Sequence, residues 1–241
     1  MVPAGGFVGR VMATEISQEN SKSDPTLPLP RTIEYPWMSV ATWQAKVRSH
    51  VDHAARGGVD LLLVGDSITE GWGGTEAWRR VFGGYASANF GIGGDATQNL
   101  LWRLENGGIG ALRPKLVVLL IGVNNLGREQ HSPEETARGI RAVLACLRQG
   151  FPGAKVLLYG IFPADAAPDS PFRRAIEETN RLLATLHDGT NVFFENIGAR
   201  FLEADGRLSP EVSPDSLHLS EEGYRRWAEA MAPRVAALMA T

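Results

Sequence analysis

A serine placed directly after a strand-like run, and an aspartate three residues ahead of a histidine near the far end of the chain, supply a nucleophile and its base. Ser67 stands in Gly65-Asp66-Ser67-Ile68-Thr69, just after residues 59–64 (VDLLLV). Between a strand and a helix its hydroxyl is exposed, and its own N–H is free at a helix N-terminus. A free serine hydroxyl is a weak nucleophile that needs a base. Taken alone, a serine here caps a helix. The base candidate lies in Asp215-Ser216-Leu217-His218. One tight turn can bring Asp215 to Nδ1 of His218 and leave Nε2 free to take a proton. Taken alone, that spacing is a surface pair. An oxyanion needs donors, and the N–H groups of Ser67 and Gly94 with the side-chain amide of Asn124 offer three. Each of these turns reads equally well as a tight glycine turn or an Asx turn.

The elements that must bring these residues together are legible as an alternation. Five apolar runs, residues 59–64, 87–90 (SANF), 115–121 (KLVVLLI), 154–162 (AKVLLYGIF) and 191–197 (NVFFENI), punctuate the chain. Continuous apolar strands imply burial on both faces, as in a parallel sheet. Between them, Ser132-Pro133-Glu134-Glu135 predicts a capped helix start, and Ala137, Ile140, Leu144 and Leu147 recur at helical spacing until Gly150 and Pro152. Ser170-Pro171 opens another helix through Leu186, and Tyr224 to Leu238 carries the last. The pattern predicts a doubly wound α/β sandwich. In such sheets ligands bind beyond the carboxyl ends of the strands. The turns after Gly65, Gly91 and Gly122 therefore converge on one edge.

The remaining sequence narrows the function classes. The chain has 241 residues, 44% hydrophobic and 21% charged, with 24 Lys and Arg against 27 Asp and Glu, a net charge of −3. It lacks the basic footprint of a nucleic-acid binder, and no apolar run approaches the ~18 residues that span a bilayer. Cys146 is the single cysteine; beside Val143 and Leu147 it is expected to be buried and inert. His50, His53, His131 and His187 are read as solvated, and no His, Cys and acidic cluster points to a metal. Trp72, Trp78 and Trp102 are expected to pack. Residues 1–36, with Pro25, Pro28 and Pro30 in polar sequence, are expected to form an extended arm, and 37–241 one domain. Val2 to Val11 is too short of apolar length for a secretory signal, so a cytoplasmic location is the default; Met12 also offers a start of its own.

Together the blocks Gly65-Asp66-Ser67-Ile68-Thr69, Gly94, Gly122-Val123-Asn124 and Asp215-Ser216-Leu217-His218 resemble, in order, those of the SGNH/GDSL hydrolases. The resemblance implies Ser67 as nucleophile, His218 as base and Asp215 as third triad member. It also implies an oxyanion hole of Ser67, Gly94 and Asn124. Asn89-Phe90-Gly91-Ile92-Gly93-Gly94-Asp95, Leu101-Trp102-Arg103-Leu104-Glu105-Asn106-Gly107 and Asn125 are similar to the branch containing the catalytic subunits of intracellular platelet-activating-factor acetylhydrolase. That branch usually has threonine where Val123 stands. The resemblance implies a flavodoxin-like three-layer α/β/α sandwich with a five-stranded parallel sheet and no cofactor, and it leaves a homodimer open. The expected substrate is a small ester of a short acyl group, acetyl to butyryl, with Ile68, Val123 and Leu217 lining the acyl side. The same residues would serve a carbohydrate acetyl esterase or a thioesterase/lysophospholipase. A non-catalytic binding subunit would be favoured had any of these positions been lost.

Overall fold

A computed structural model describes residues 22–240; the N-terminal segment considered for export lies outside them. Five strands, β1 (Leu61–Gly65), β2 (Ser87–Gly91), β3 (Leu116–Leu120), β4 (Lys155–Tyr159) and β5 (Val192–Glu195), form one sheet in the order β2-β1-β3-β4-β5, with every neighbouring pair parallel. Eight α-helices lie among the described residues: α1 (Val40–Arg56), α2 (Ser67–Glu70), α3 (Glu76–Phe82), α4 (Thr97–Arg103), α5 (Val123–Gly127), α6 (Pro133–Gly150), α7 (Pro171–Ala184) and α8 (Glu221–Met239).

Why β1 and β3 are apolar throughout is visible in their burial. Every residue of β1 and of β3 is buried, which requires helices on both faces of the sheet. On one layer α6 touches both α4 and α7, while α3 packs on α8. The core is dense in aromatics: Trp72 meets Phe82, Tyr224 and Trp227 with ring centroids 4.7–5.3 Å apart. The start signals read from sequence are present. Ser132 Oγ accepts from Glu135 N–H at 3.2 Å, and the Glu135 carboxylate takes the Ser132 N–H at 2.7 Å. Ser170 Oγ does the same for Arg173 N–H at 3.1 Å. The resulting order places the chain reversal between β1 and β3, and at this switch point the carboxyl ends of the strands open a crevice.

Residues 22–38 make one small antiparallel bridge, Tyr35 with Met38, and otherwise run as a strap along the body. Thr97 Oγ1 donates to the Pro25 carbonyl at 2.8 Å, Asn99 Nδ2 to the Leu29 carbonyl at 3.1 Å, and His131 Nε2 lies 2.7 Å from the Ser23 carbonyl. No helix among the described residues is long and apolar enough to cross a membrane.

Candidate active site

Three strand ends build the site. β1 ends at Gly65, where a Cβ would lie 2.2 Å from both the Leu120 carbonyl oxygen and Thr69 Oγ1; only glycine permits the next turn to fold back so tightly. The cap of the short helix α2 is Asp66, whose Oδ1 accepts from Ile68 N–H at 3.0 Å. Ser67 is thereby released from the capping role that a serine at this place would otherwise take. Its Oγ lies 2.9 Å from Nε2 of His218, and Nδ1 of His218 lies 2.6 Å from Oδ2 of Asp215. Asp215 holds its own turn as well, since Oδ1 accepts the N–H groups of Leu217 (3.0 Å) and His218 (2.7 Å). Partial burial pushes the Asp215 carboxyl up, but the hydrogen bonds from the His218 ring and from the two backbone N–H groups outweigh it and hold it below the usual range. An ionised Asp215 keeps the His218 proton on Nδ1, so Nε2 is the acceptor facing Ser67.

The glycine turn after β2 is fixed from behind. Gly94 has φ +74°, and the neighbouring Asp95 carboxylate is fully buried against Arg103 Nε (2.7 Å), Trp43 Nε1 (2.7 Å) and Arg31 Nη2 (3.2 Å). Arg103 also donates to the carbonyls of Gly65 (3.2 Å) and Phe90 (3.0 Å), tying the ends of β1 and β2 together. Arg31 donates to the Gly93 carbonyl at 2.6 Å. From β3, Asn124 Nδ2 gives one N–H to the Asp95 carbonyl at 2.9 Å, which leaves its second N–H unassigned. Asn125 in turn binds Thr97 on both its amide atoms.

Of the three residues expected on the acyl side, two reach a cleft. Val123 and Leu217 line a cavity of about 530 Å³ together with Asn124, Phe172, Asp165 and Asp215. Ile68 does not: it is 2% exposed, packed in the core. Its peptide carbonyl receives the Tyr224 hydroxyl at 2.8 Å.

Other sequence readings change on contact with the structure. His131 is buried, satisfied by Asn125 and the Ser23 carbonyl. His50 stacks on Phe90 at 4.4 Å, and burial followed by the Arg103 charge holds its imidazole down at about 3. Neither is solvated as the sequence suggests, because a histidine on a polar stretch carries no sign of what will cover it. Cys146 is half-buried, its thiol pushed up to about 11 by burial and Glu105. Among the described residues no His, Cys, Asp and Glu group could hold a metal. The Arg31–Asp95–Arg103 cluster is not anticipated by the sequence motifs. One signal pointed to it: Arg103 shares its helix with buried Leu100 and Leu101, and a charge among buried apolar residues demands a partner.

Asp66 gives the site a pH signature. Burial pushes its carboxyl up to about 7, opposed by the Ile68 N–H and reinforced by the Asp95 charge. Between the ordinary value of 3.8 and about 7 the unfolded chain releases this proton and the folded chain retains it. Wild-type stability is therefore drained as pH rises through that window. Asp66→Asn preserves the cap and removes the ionisation. The melting temperature of the variant, relative to wild type, should climb from pH 4 to pH 7 and then level. A difference that stays constant across this range refutes a protonated Asp66.

Comparison with known proteins gives a consistent family. The model described as the GDSL-like Lipase/Acylhydrolase family matches residues 63–226. The chain is 37% identical over 166 residues to platelet-activating factor acetylhydrolase IB subunit alpha1 of Homo sapiens, spanning 68% of this chain and 70% of that one. Among solved structures, a GDSL-like lipase from Bacteroides thetaiotaomicron matches with TM-score 0.64 at 21% identity, over 82% of this chain and 99% of that one. A carbohydrate acetylesterase from Sinorhizobium meliloti matches with TM-score 0.57 at 24% identity, over 74% and 98%. At these identities the two structures speak for the fold alone.

Proposed function

Since the chain belongs to the GDSL-like lipase/acylhydrolase family, we propose that it hydrolyses esters of short acyl groups through an acyl-enzyme on Ser67. The observation that carries this reading is the unbroken relay from Ser67 Oγ to His218 (2.9 Å) and from His218 to Asp215 (2.6 Å). His218 Nε2 takes the Ser67 proton as Oγ attacks the ester carbonyl. The oxyanion is held by the N–H groups of Ser67 and Gly94 and by the Asn124 N–H not bonded to Asp95. His218 then protonates the leaving alcohol, and water repeats the steps on the acyl-enzyme. Asp215 orients the imidazole and steadies its charged form.

The short-acyl preference is supported by the walls of the cleft. Val123, Leu217 and Phe172 are apolar, but Asp165 and Asp215 share the same lining. A fatty chain laid beside two carboxylates would desolvate them at a cost. Acyl length tests the reading directly. With p-nitrophenyl esters from acetate to palmitate, kcat/KM should peak between acetate and butyrate. A deep apolar pocket would instead gain about 0.8 kcal/mol, roughly fourfold, for each methylene. A maximum at octanoate or beyond overturns the short-acyl assignment, and hydrolysis of none of them overturns the activity itself.

A further inference from the structure

We propose that Arg128 makes the leaving-group side of this site selective for esters whose alcohol carries an anionic group, a carboxylate or a phosphate. The inference rests on the ester-hydrolase reading and adds the chemistry of the alcohol.

Arg128 caps the short helix α5, and its N–H donates to the Asn124 carbonyl at 2.9 Å. The guanidinium and the oxyanion amide are thus borne on a single turn. A Cβ built on Gly94 would lie 2.7 Å from Arg128 Nη1 and 2.5 Å from the Trp37 ring. The guanidinium is therefore pressed against the glycine of the oxyanion turn. Its carbon lies 4.3 Å from the centre of the Tyr35 ring and 5.2 Å from that of Trp37. These rings are stacked on each other, 5.1 Å apart and 2° from parallel. Contact with ring faces places the side chain without using its N–H groups.

What the donors are for follows from comparison with the other two arginines nearby. Arg31 and Arg103 spend theirs on Asp95 and on backbone carbonyls. Arg128 has five N–H donors, and among the described residues no carboxylate or other acceptor bonds to them. A planar fork whose donors have no partner among the described residues matches a carboxylate or phosphate in bidentate fashion.

Charge sets the direction in which a substrate would lie. Arg128 lines the acyl cleft and also a second cleft of about 740 Å³ along the strap. On the acyl side stand Asp165 and Asp215, which repel an anion. The second cleft has Lys22, Arg31 and Arg128 in its wall against the one carboxylate of Glu129. An ester therefore binds with its acyl group toward Leu217 and its anionic end past Arg128, toward the strap. Trp37, half exposed, offers its ring to the body of the alcohol.

The test uses matched pairs of acetate esters in which a methylene insulates the phenol from the charge. One pair is 4-acetoxyphenylacetate and 4-acetoxyphenylacetamide; the other is 2-(4-acetoxyphenyl)ethyl phosphate and 2-(4-acetoxyphenyl)ethanol. In the full-length protein kcat/KM should favour the anionic member by about tenfold or more, as a charge-assisted bidentate contact gives. The ratio should fall to about one in Arg128→Gln. In Arg128→Lys it should be intermediate and should shrink further on raising the salt concentration. Selectivity for only one pair identifies which anion the fork accepts. Equal rates within both pairs overturn the proposal while leaving the esterase reading intact. A ratio retained in Arg128→Gln also overturns it, because the anion is then read elsewhere. Failure to hydrolyse any of the four esters defeats the underlying reading instead.

Discussion

Ser67→Ala should lower kcat by roughly 10⁶-fold and abolish labelling by an organophosphate probe in the same step. The size of the effect follows from the arrangement around Oγ. No other hydroxyl contacts His218 among the described residues, so removing Oγ leaves the base with nothing to activate. The residual rate over water then comes from the oxyanion donors and binding alone. Folding should be nearly unaffected. The cap of α2 belongs to Asp66, Ser67 is half-buried, and alanine is the best of the helix formers. A thermal melt on the same preparation separates loss of chemistry from loss of fold. Persistent labelling in the variant removes Ser67 from the mechanism.

His218→Ala should be almost as damaging, and the two variants together should be no worse than either alone. This non-additivity is the mark of groups that act as one unit. Ser67 and His218 are 151 positions apart in the chain and meet at 2.9 Å. A nucleophile without its base is as idle as a base without its nucleophile. The ring is also substantially exposed, with 46% of its side chain open to solvent, so its loss leaves no cavity to collapse. If the double variant falls far below both singles, the residues contribute independently and the relay is not the unit of catalysis.

How far the sequence discloses this molecule depends on which contacts carry side-chain signatures. β1 and β3 are legible because strands covered on both faces are apolar at every position, and the glycines after them mark the tight turns. The Asp215–His218 spacing foretells a turn, and the turn forms. Ile68 shows where adjacency misleads. It follows Ser67 in sequence, yet one step along a helix rotates its side chain into the core. The strap was the harder case. Its polar, proline-bearing sequence offers no periodicity, and residues 23, 25 and 29 are held by their backbone carbonyls. Any residue has a carbonyl, so nothing in the one-letter text announces these three contacts, and Arg31, which docks through its side chain, carries no mark that sets it apart from a surface arginine. Arg128 and Trp37 depend on that strap for their meaning and are invisible without it.

The turn that carries Asp215 and His218 has a mechanical consequence. Asp215 and His218 share one short segment, and the Asp215 carboxylate accepts hydrogen bonds from both the ring and the backbone N–H of His218, so any displacement of the turn moves them together. Ser67, Gly94 and Asn124 belong to a second unit, cross-braced through Arg103 and the Asp95 carbonyl. The site is thus built from two separately braced units rather than from five independent residues. Each unit carries its own internal hydrogen bonds, and their mutual pose is a separate coordinate. A single coordinate, the gap between Ser67 Oγ and His218 Nε2, tracks that pose and so tells an aligned site from a disengaged one.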